Sequence, residues 1–382
     1  MTTDTPQNTD IVVVGAGIAG ASVAAELAAT HRVVMLEMEA QPGYHTTGRS
    51  AALFSLTYGP PVIRALSRAS APFLHEPQPS FSATPLLKQR DVLTVGRADQ
   101  RASIDAAFDE LAGRGGMRRI SSQEARERMP LLRSQSVDSV LLDPDAADID
   151  VHALHHGYLR RFKASGGKIE TASEVTAIER DGAAWLVVTR KATFRAPILI
   201  NASGAWADGI AALAGVSRIG LTPKQRTALM IAAPDGNAPD HWPMVVDADE
   251  DFYLKPDAGR FLISPADETP SPPCDAQPDE MDVAICVERI ETAFDIAVTR
   301  IENKWAGLRS FVADKTPVVG FDSSAGGFFW LAGQGGYGIQ TAPAMARTAA
   351  ALAIGAEIPA DIADQGVTAA GLSPTRLTTK PA

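Results

Sequence analysis

Residues 10–14 end in four consecutive β-branched residues, Ile11-Val12-Val13-Val14, and the run breaks at once into Gly15-Ala16-Gly17-Ile18-Ala19-Gly20. A strand without polar alternation is buried on both faces, as in a parallel sheet. The apolar stretch from 11 to 29 has the length of a membrane span, but it holds three glycines within six residues and Glu26. Those features predict strand, tight turn and helix, not a span. Residues 32–37 read as a second buried strand, so the chain opens with a right-handed βαβ unit. In such a unit Gly15 permits the turn, Gly17 lets a pyrophosphate approach the backbone, and Gly20 lets helix and strand pack closely. The N–H groups at the helix start, around Ile18 and Ala19, together with the positive end of the helix dipole, suit that pyrophosphate. Glu37, 17 residues after Gly20, ends the second strand. Its carboxylate would accept from an adenosine ribose and repel a 2′-phosphate. The fingerprint alone leaves FAD and NAD both open.

A chain of 382 residues suggests two or three domains, and 45% apolar with 21% charged residues is ordinary globular composition. The formal charge of −10 disfavours a general nucleic-acid binder, which needs a basic surface. Two cysteines, Cys274 and Cys286, make neither a disulfide framework nor a zinc pattern and suit a reducing compartment. The polar N-terminus shows no signal peptide, so a cytoplasmic protein is expected, soluble or peripheral to a membrane. Helical patterns occupy residues 61–72, 100–114, 150–165, 281–294 and 341–354. Strands are expected at 168–171, 175–180, 184–190 and 197–201, with Asp181-Gly182 as a hairpin turn, and at 328–332. A second group of strands is expected at 226–233, 244–246, 252–255 and 260–264. The predicted fold is α/β: a discontinuous Rossmann-like nucleotide-binding domain (1–57, 145–224 and 315–382) with an inserted α+β domain (58–144 and 225–314) on a mostly antiparallel sheet.

Three further segments carry a resemblance. Gly43-Tyr44-His45-Thr46-Thr47-Gly48-Arg49-Ser50-Ala51-Ala52, Asn201-Ala202-Ser203-Gly204-Ala205-Trp206 and Gly333-Gln334-Gly335-Gly336-Tyr337-Gly338-Ile339-Gln340 are similar to flavin-facing segments of the D-amino-acid oxidase-like FAD-dependent oxidoreductases. The likeness spans nearly the whole chain. It is most pronounced toward the D-arginine dehydrogenase branch, through residues 253–259 and 305–314. It implies non-covalently bound FAD, held by His45, Thr47, Gly48, Arg49, Ser50, Ala51, Ala202, Gly204, Trp206, Gly335, Gly336, Tyr337, Gly338, Ile339 and Gln340, with the Val175 backbone reading the adenine. The last glycine run also makes physical sense, because glycines let backbone lie against a flat ring and the following helix N-terminus favours negative charge.

Arg309 lies among apolar neighbours, where an arginine needs a fixed anion, and its planar fork suits a carboxylate. The resemblance gives it that role, with Arg226 as a second substrate-side arginine, Tyr58 and Tyr253 as substrate-side tyrosines, and the Gly336 carbonyl facing the substrate amine. Two positions depart from the D-arginine dehydrogenase pattern. Val92 stands where an acid faces the substrate guanidinium, and Leu53 stands where that branch has His. Such a pocket should favour neutral or apolar side chains, unless Asp91 compensates by a one-residue shift, which on a strand moves a side chain to the other face.

The implied activity is oxidative deamination of free D-amino acids. Hydride passes from Cα to flavin N5, and the imine hydrolyses to a 2-oxo acid and ammonia. The electron acceptor is left open among a quinone, a soluble carrier and oxygen. Alternatives are an amine, glycine or sarcosine oxidase using oxygen, an L-2-hydroxy-acid dehydrogenase, and a flavin-binding regulatory protein. His152, His155 and His156 lack a completing ligand set, so no metal is expected. Neither a Gly-x-Ser-x-Gly elbow nor a Walker loop is present.

Overall fold

The computed structural model describes residues 5–111, 116–234 and 239–377. The opening βαβ unit builds a six-stranded sheet in the order Lys168–Glu170, Val33–Leu36, Ile11–Val14, Ile198–Asn201, Phe328–Ala332 and Val318–Phe321. The first five strands are mutually parallel, and Val318–Phe321 closes the edge antiparallel. Ile11–Val14 and Val33–Leu36 are buried on both faces, as their unbroken apolar runs require.

The helix Ile18–Leu27 is buried nearly all round; only Ala19 and Glu26 escape. Its Gly, Ala and Ser side chains let it pack closely between Gly338–Ala353, itself rich in alanine, and Val151–Ala164. Asp150 caps the last of these by accepting from the Ala153 N–H. The helix Pro61–His75 joins this core against Gly338–Ala353. The expected division of the chain had assigned residues 61–75 to the inserted part.

An eight-stranded sheet runs Ile301–Phe311, Thr222–Ala232, Arg260–Ser264, Tyr253–Asp257, Met244–Asp247, Val92–Gly96, Ser139–Asp143 and Arg118–Ile120. It is antiparallel throughout except where Met244–Asp247 lies parallel to Val92–Gly96. Alternation gives it two distinct faces. Leu93, Val95, Val140, Leu142, Leu229, Ile231, Leu254, Phe261 and Ile263 meet the stripe Val283, Cys286, Ile290 and Ala293 of the helix Glu280–Ala293. Of the residues on the other face, Val92, Thr94, Asp143, Ala228 and Tyr253 border a cavity.

Several boundaries differ from expectation. The strand bearing Arg226 starts at Thr222, so the expected break at 224/225 falls inside it. Ile301–Phe311, its long partner, was not anticipated. Its first half is largely exposed and charged (Glu302, Lys304), which hides the strand pattern at a sheet edge. The helix expected at 100–114 runs Arg101–Leu111 after a short 3₁₀ turn, and Arg114 lies outside the described residues. Among the described residues no helix is long and apolar enough to cross a membrane.

Candidate active site

The two sheets enclose a cavity of about 700 Å³. Of the residues singled out in the sequence, Tyr58, Arg226, Tyr253, Arg309, Gly15, Gly17, Ile18, Ala19, Glu37, His45, Thr47, Arg49, Ser50, Ala51, Val175, Ala202, Gly204, Trp206, Gly335, Gly336, Gly338, Ile339 and Gln340 all border it. Gly20, Gly48 and Tyr337 do not line it and act on its frame. A Cβ on Gly20 would lie 1.8 Å from the Gly15 carbonyl oxygen, so only glycine lets the helix sit on its turn. The Gly48 N–H closes a turn on Gly43 O at 2.8 Å. Tyr337 is the N-terminal boundary residue of Gly338–Ala353 and packs its ring edge-on against Tyr58 at 5.0 Å.

At the fingerprint end, Gly15 has φ +101° and lies against the backbone of Ala202 and Ser203, which follow the neighbouring strand. The Thr47 hydroxyl accepts from the Ile18 N–H at 3.0 Å, so the segment after the second strand reaches back to the helix start. Buried Glu37 accepts from the Ala16 N–H and, through its other oxygen, from the Glu39 N–H, each at 2.9 Å. Burial pushes its carboxyl above the ordinary range, although both N–H groups oppose that shift. His45 pairs with Glu39 at 2.9 Å and leans on Trp206 at 4.7 Å. Arg49 lines the wall, but its guanidinium is committed elsewhere. It donates to the carbonyls of Ala276 and Ala306 at 2.9 Å and forms an ion pair with Asp275, fastening the 275–276 segment to the cavity mouth.

His155 donates from Nε2 to the Ala16 carbonyl oxygen, 2.9 Å away, behind the fingerprint turn. Burial holds its pKa down at about 4, so the ring is neutral and donates there. His152 and His156 stack on each other on the outer face of the same helix.

At the other end, Gly333 and Gly335 have positive φ, and the Gly335 N–H donates to Ser310 O at 2.9 Å. Arg309 is 9% exposed, and its Nη2 donates to the Tyr58 hydroxyl at 2.9 Å. Arg226 stands opposite Gly307 in the register, two positions from Arg309, so both arginines occupy one face of the paired strands. Arg226 donates through Nε to Asp267 O at 3.0 Å. Tyr253 closes the wall; its burial raises the phenol pKa, so the hydroxyl stays protonated.

Glu268, unmarked in the sequence, reaches Lys224 at 2.8 Å, Arg226 at 3.4 Å and Arg309 at 3.7 Å. Burial would raise its carboxyl pKa, but the Lys224 hydrogen bond and the two arginine charges hold it below the usual range. It lies in a proline-rich loop whose pattern carries no chemical signal. Ser55, Thr57 and Asp143 were missed as well. All three line the cavity, and both hydroxyls donate to one oxygen of Asp143, at 2.7 and 2.8 Å.

Whether Asp91 compensates for Val92 has a geometric answer. Val92 faces the cavity with Leu53, Met244, Val246 and Tyr253, while Asp91 turns away and pairs with Arg128 at 2.8 Å.

Among the described residues, two buried polar atoms of cavity-wall residues have no partner: the Ser310 hydroxyl and the Gln340 side-chain nitrogen, whose own oxygen is anchored by the Ser55 N–H at 3.2 Å. Buried donors without partners are costly unless a ligand completes them. With two helix N-termini, glycine-lined turns and these donors, the wall fits a flat, phosphate-bearing cofactor.

A family model for FAD dependent oxidoreductases (DAO) matches residues 10–352. A glycine oxidase from Geobacillus kaustophilus (strain HTA426) is 26% identical over 395 aligned positions, spanning 97% of this chain and 96% of the relative. The crystal structure of glycine oxidase from Geobacillus kaustophilus superposes with a TM-score of 0.82 at 23% identity, covering 95% of this chain and 99% of that one. L-proline dehydrogenase from P. horikoshii gives 0.77 at 22% identity, covering 98% and 99%. At these identities the two structures show a shared fold. These relatives correct the expected D-arginine dehydrogenase branch: the similarity runs to glycine oxidase and related oxidoreductases.

Proposed function

Because the chain belongs to the DAO family of FAD-dependent oxidoreductases, we propose that it oxidises the carbon–nitrogen bond of a free amino acid, with D-amino acids as the class implied by its D-arginine dehydrogenase-like segments. Buried Arg309, held against Tyr58 on the cavity wall, carries this reading. Its one ion-pair partner among the described residues, Glu268, stands 3.7 Å away and is shared with Lys224 and Arg226, and its planar fork on the cavity wall matches a substrate carboxylate.

FAD, when bound, supplies the two-electron oxidant. Gly15, Gly17 and the start of Ile18–Leu27 would face its pyrophosphate, Glu37 its ribose, and the glycine turn from 333 to 338 its ring system. Ser310 and Gln340 offer donors to its polar edge. Arg309 and Tyr58 grip the substrate carboxylate, and Arg226 adds positive potential on the same sheet face. Tyr253 offers a protonated hydroxyl, and the Gly336 carbonyl is an acceptor for the amine. Fixing both ends of a zwitterion turns its α-carbon toward one wall, so the protein's contribution is orientation and exclusion of water.

The 26% identical glycine oxidase favours a second reading, oxidation of glycine or a small secondary amine. Anaerobic reduction of the bound flavin separates the two. Bleaching by D-amino acids supports the first, and bleaching by glycine or sarcosine alone supports the second. A flavin that no amino compound bleaches, or a pure protein that takes up no FAD, refutes both.

A further inference from the structure

Asp143 is 5% exposed, borders the cavity, and forms no ion pair among the described residues. Arg90 and Lys255 both pair with Asp148 instead, at 2.8 and 2.9 Å. One Asp143 oxygen receives the Ser55 and Thr57 hydroxyls, and among the described residues the other receives only the Asp145 N–H at 3.2 Å. A carboxylate has room for about four donors, so the second oxygen is under-used. A buried anion without a cation is costly, and in a ligand cavity a cationic ligand relieves that cost.

The register fixes where this anion sits. Asp143 is directly opposite Val92 in the antiparallel pair, so the two share the cavity face. Val92 belongs to an apolar patch with Met244, Leu53 and Tyr253. An apolar wall with one carboxylate beside it fits an aliphatic chain ending in a positive group.

We infer that Asp143 is a specificity-determining residue that selects amino acids whose aliphatic side chain ends in a cationic nitrogen. The inference rests on the amino-acid reading above and overturns the neutral-side-chain preference expected from Val92 alone. The tail lies along Leu53, Val92 and Met244, and its ammonium donates to the free side of Asp143. Charge-assisted hydrogen bonds are about twice as strong as neutral ones.

Lysine and norleucine, each in both configurations, test it, because they share one six-carbon chain and differ only in the ammonium that lysine carries on its last carbon. In the wild-type holoenzyme, flavin reduction should favour lysine over norleucine at least tenfold in kcat/KM. Asp143→Asn should lower that ratio at least tenfold. Parity or a norleucine preference in the wild type overturns the inference without any variant. An equal loss on both substrates in Asp143→Asn also overturns it, since a knot that merely holds Ser55 and Thr57 would not sense the substrate's charge. Reduction by glycine or sarcosine but by neither six-carbon acid overturns the inference and leaves amino-group oxidation standing. Reduction by no amino compound overturns both.

Discussion

Nη2 of Arg309 lies 2.9 Å from the Tyr58 hydroxyl, and on its other side Gly336 is so close that a Cβ there would stand 2.0 Å from the same nitrogen. The guanidinium is thus wedged between a phenol and bare backbone. It is oriented before any ligand arrives, and preorganisation of this kind reduces the ordering cost of binding.

Arg309→Lys keeps the charge and loses the planar fork. We expect KM for the amino acid to rise more than about tenfold, the scale of one or two charged hydrogen bonds. Tyr58→Phe should raise KM by a smaller factor. Steady-state kinetics on the reconstituted holoenzyme decide this, and a parent-like KM in Arg309→Lys removes that residue from the carboxylate site.

Gly336→Ala tests the wedge from the other side. The methyl group cannot share space with Arg309, so the guanidinium must move. Substrate saturation should weaken at least as much as in Arg309→Lys, and a parent-like KM would mean that the contact is not needed.

Glu37 holds the fingerprint turn through Ala16 and the following strand end through Glu39. Glu37→Gln keeps the size, removes the charge that would accept from ribose hydroxyls, and turns an amide NH2 toward one of the two backbone N–H groups. FAD should dissociate more readily, by about tenfold, with charged hydrogen bonds as the basis. Fluorescence of released FAD on dilution measures it, and an unchanged dissociation constant refutes the ribose role.

His155 predicts an acid sensitivity. Its folded pKa is about 4, below the ordinary value of 6.5. As the pH falls through 6.5 the unfolded chain takes up a proton and the native ring does not, so stability is lost between pH 6.5 and 4. The linked cost approaches about 3 kcal/mol at the bottom of that window. His155→Gln keeps a neutral donor for the Ala16 carbonyl and should flatten this part of the pH profile. Thermal midpoints at pH 7 and pH 4.5 show it, and equal drops in parent and variant would place the acid sensitivity elsewhere.

Much of the site was legible because its chemistry is local. Gly20 works by what a missing Cβ permits within one strand-turn-helix unit, and the positive φ of Gly15, Gly333 and Gly335 marks local turns, although Gly15 and Gly336 also make room for Ala202 and Arg309 from distant segments. Arg309 was detectable from its apolar flanks. Glu268 and Asp143 were not, because each matters through strands or loops far away in the chain. Glu268 meets Lys224, Arg226 and Arg309, and Asp143 meets Ser55 and Thr57. Arg49 shows the same limit from the other side: its place in a flavin-facing segment suggested a ligand contact, whereas tertiary packing turns its guanidinium to Asp275 and to the carbonyls of Ala276 and Ala306.

By itself, then, the order of residues determined the parallel nucleotide-binding sheet, its glycine turns and the acidic strand end at Glu37, since these follow from backbone sterics and short-range periodicity. Only the tertiary structure decided what the substrate would meet. Strand register put Val92 and Asp143 side by side on the cavity face and sent Asp91 outward to Arg128. A one-residue shift in that register would exchange the faces, and no local propensity fixes it; the packing of Leu93, Val95, Val140 and Leu142 against the helix Glu280–Ala293 does.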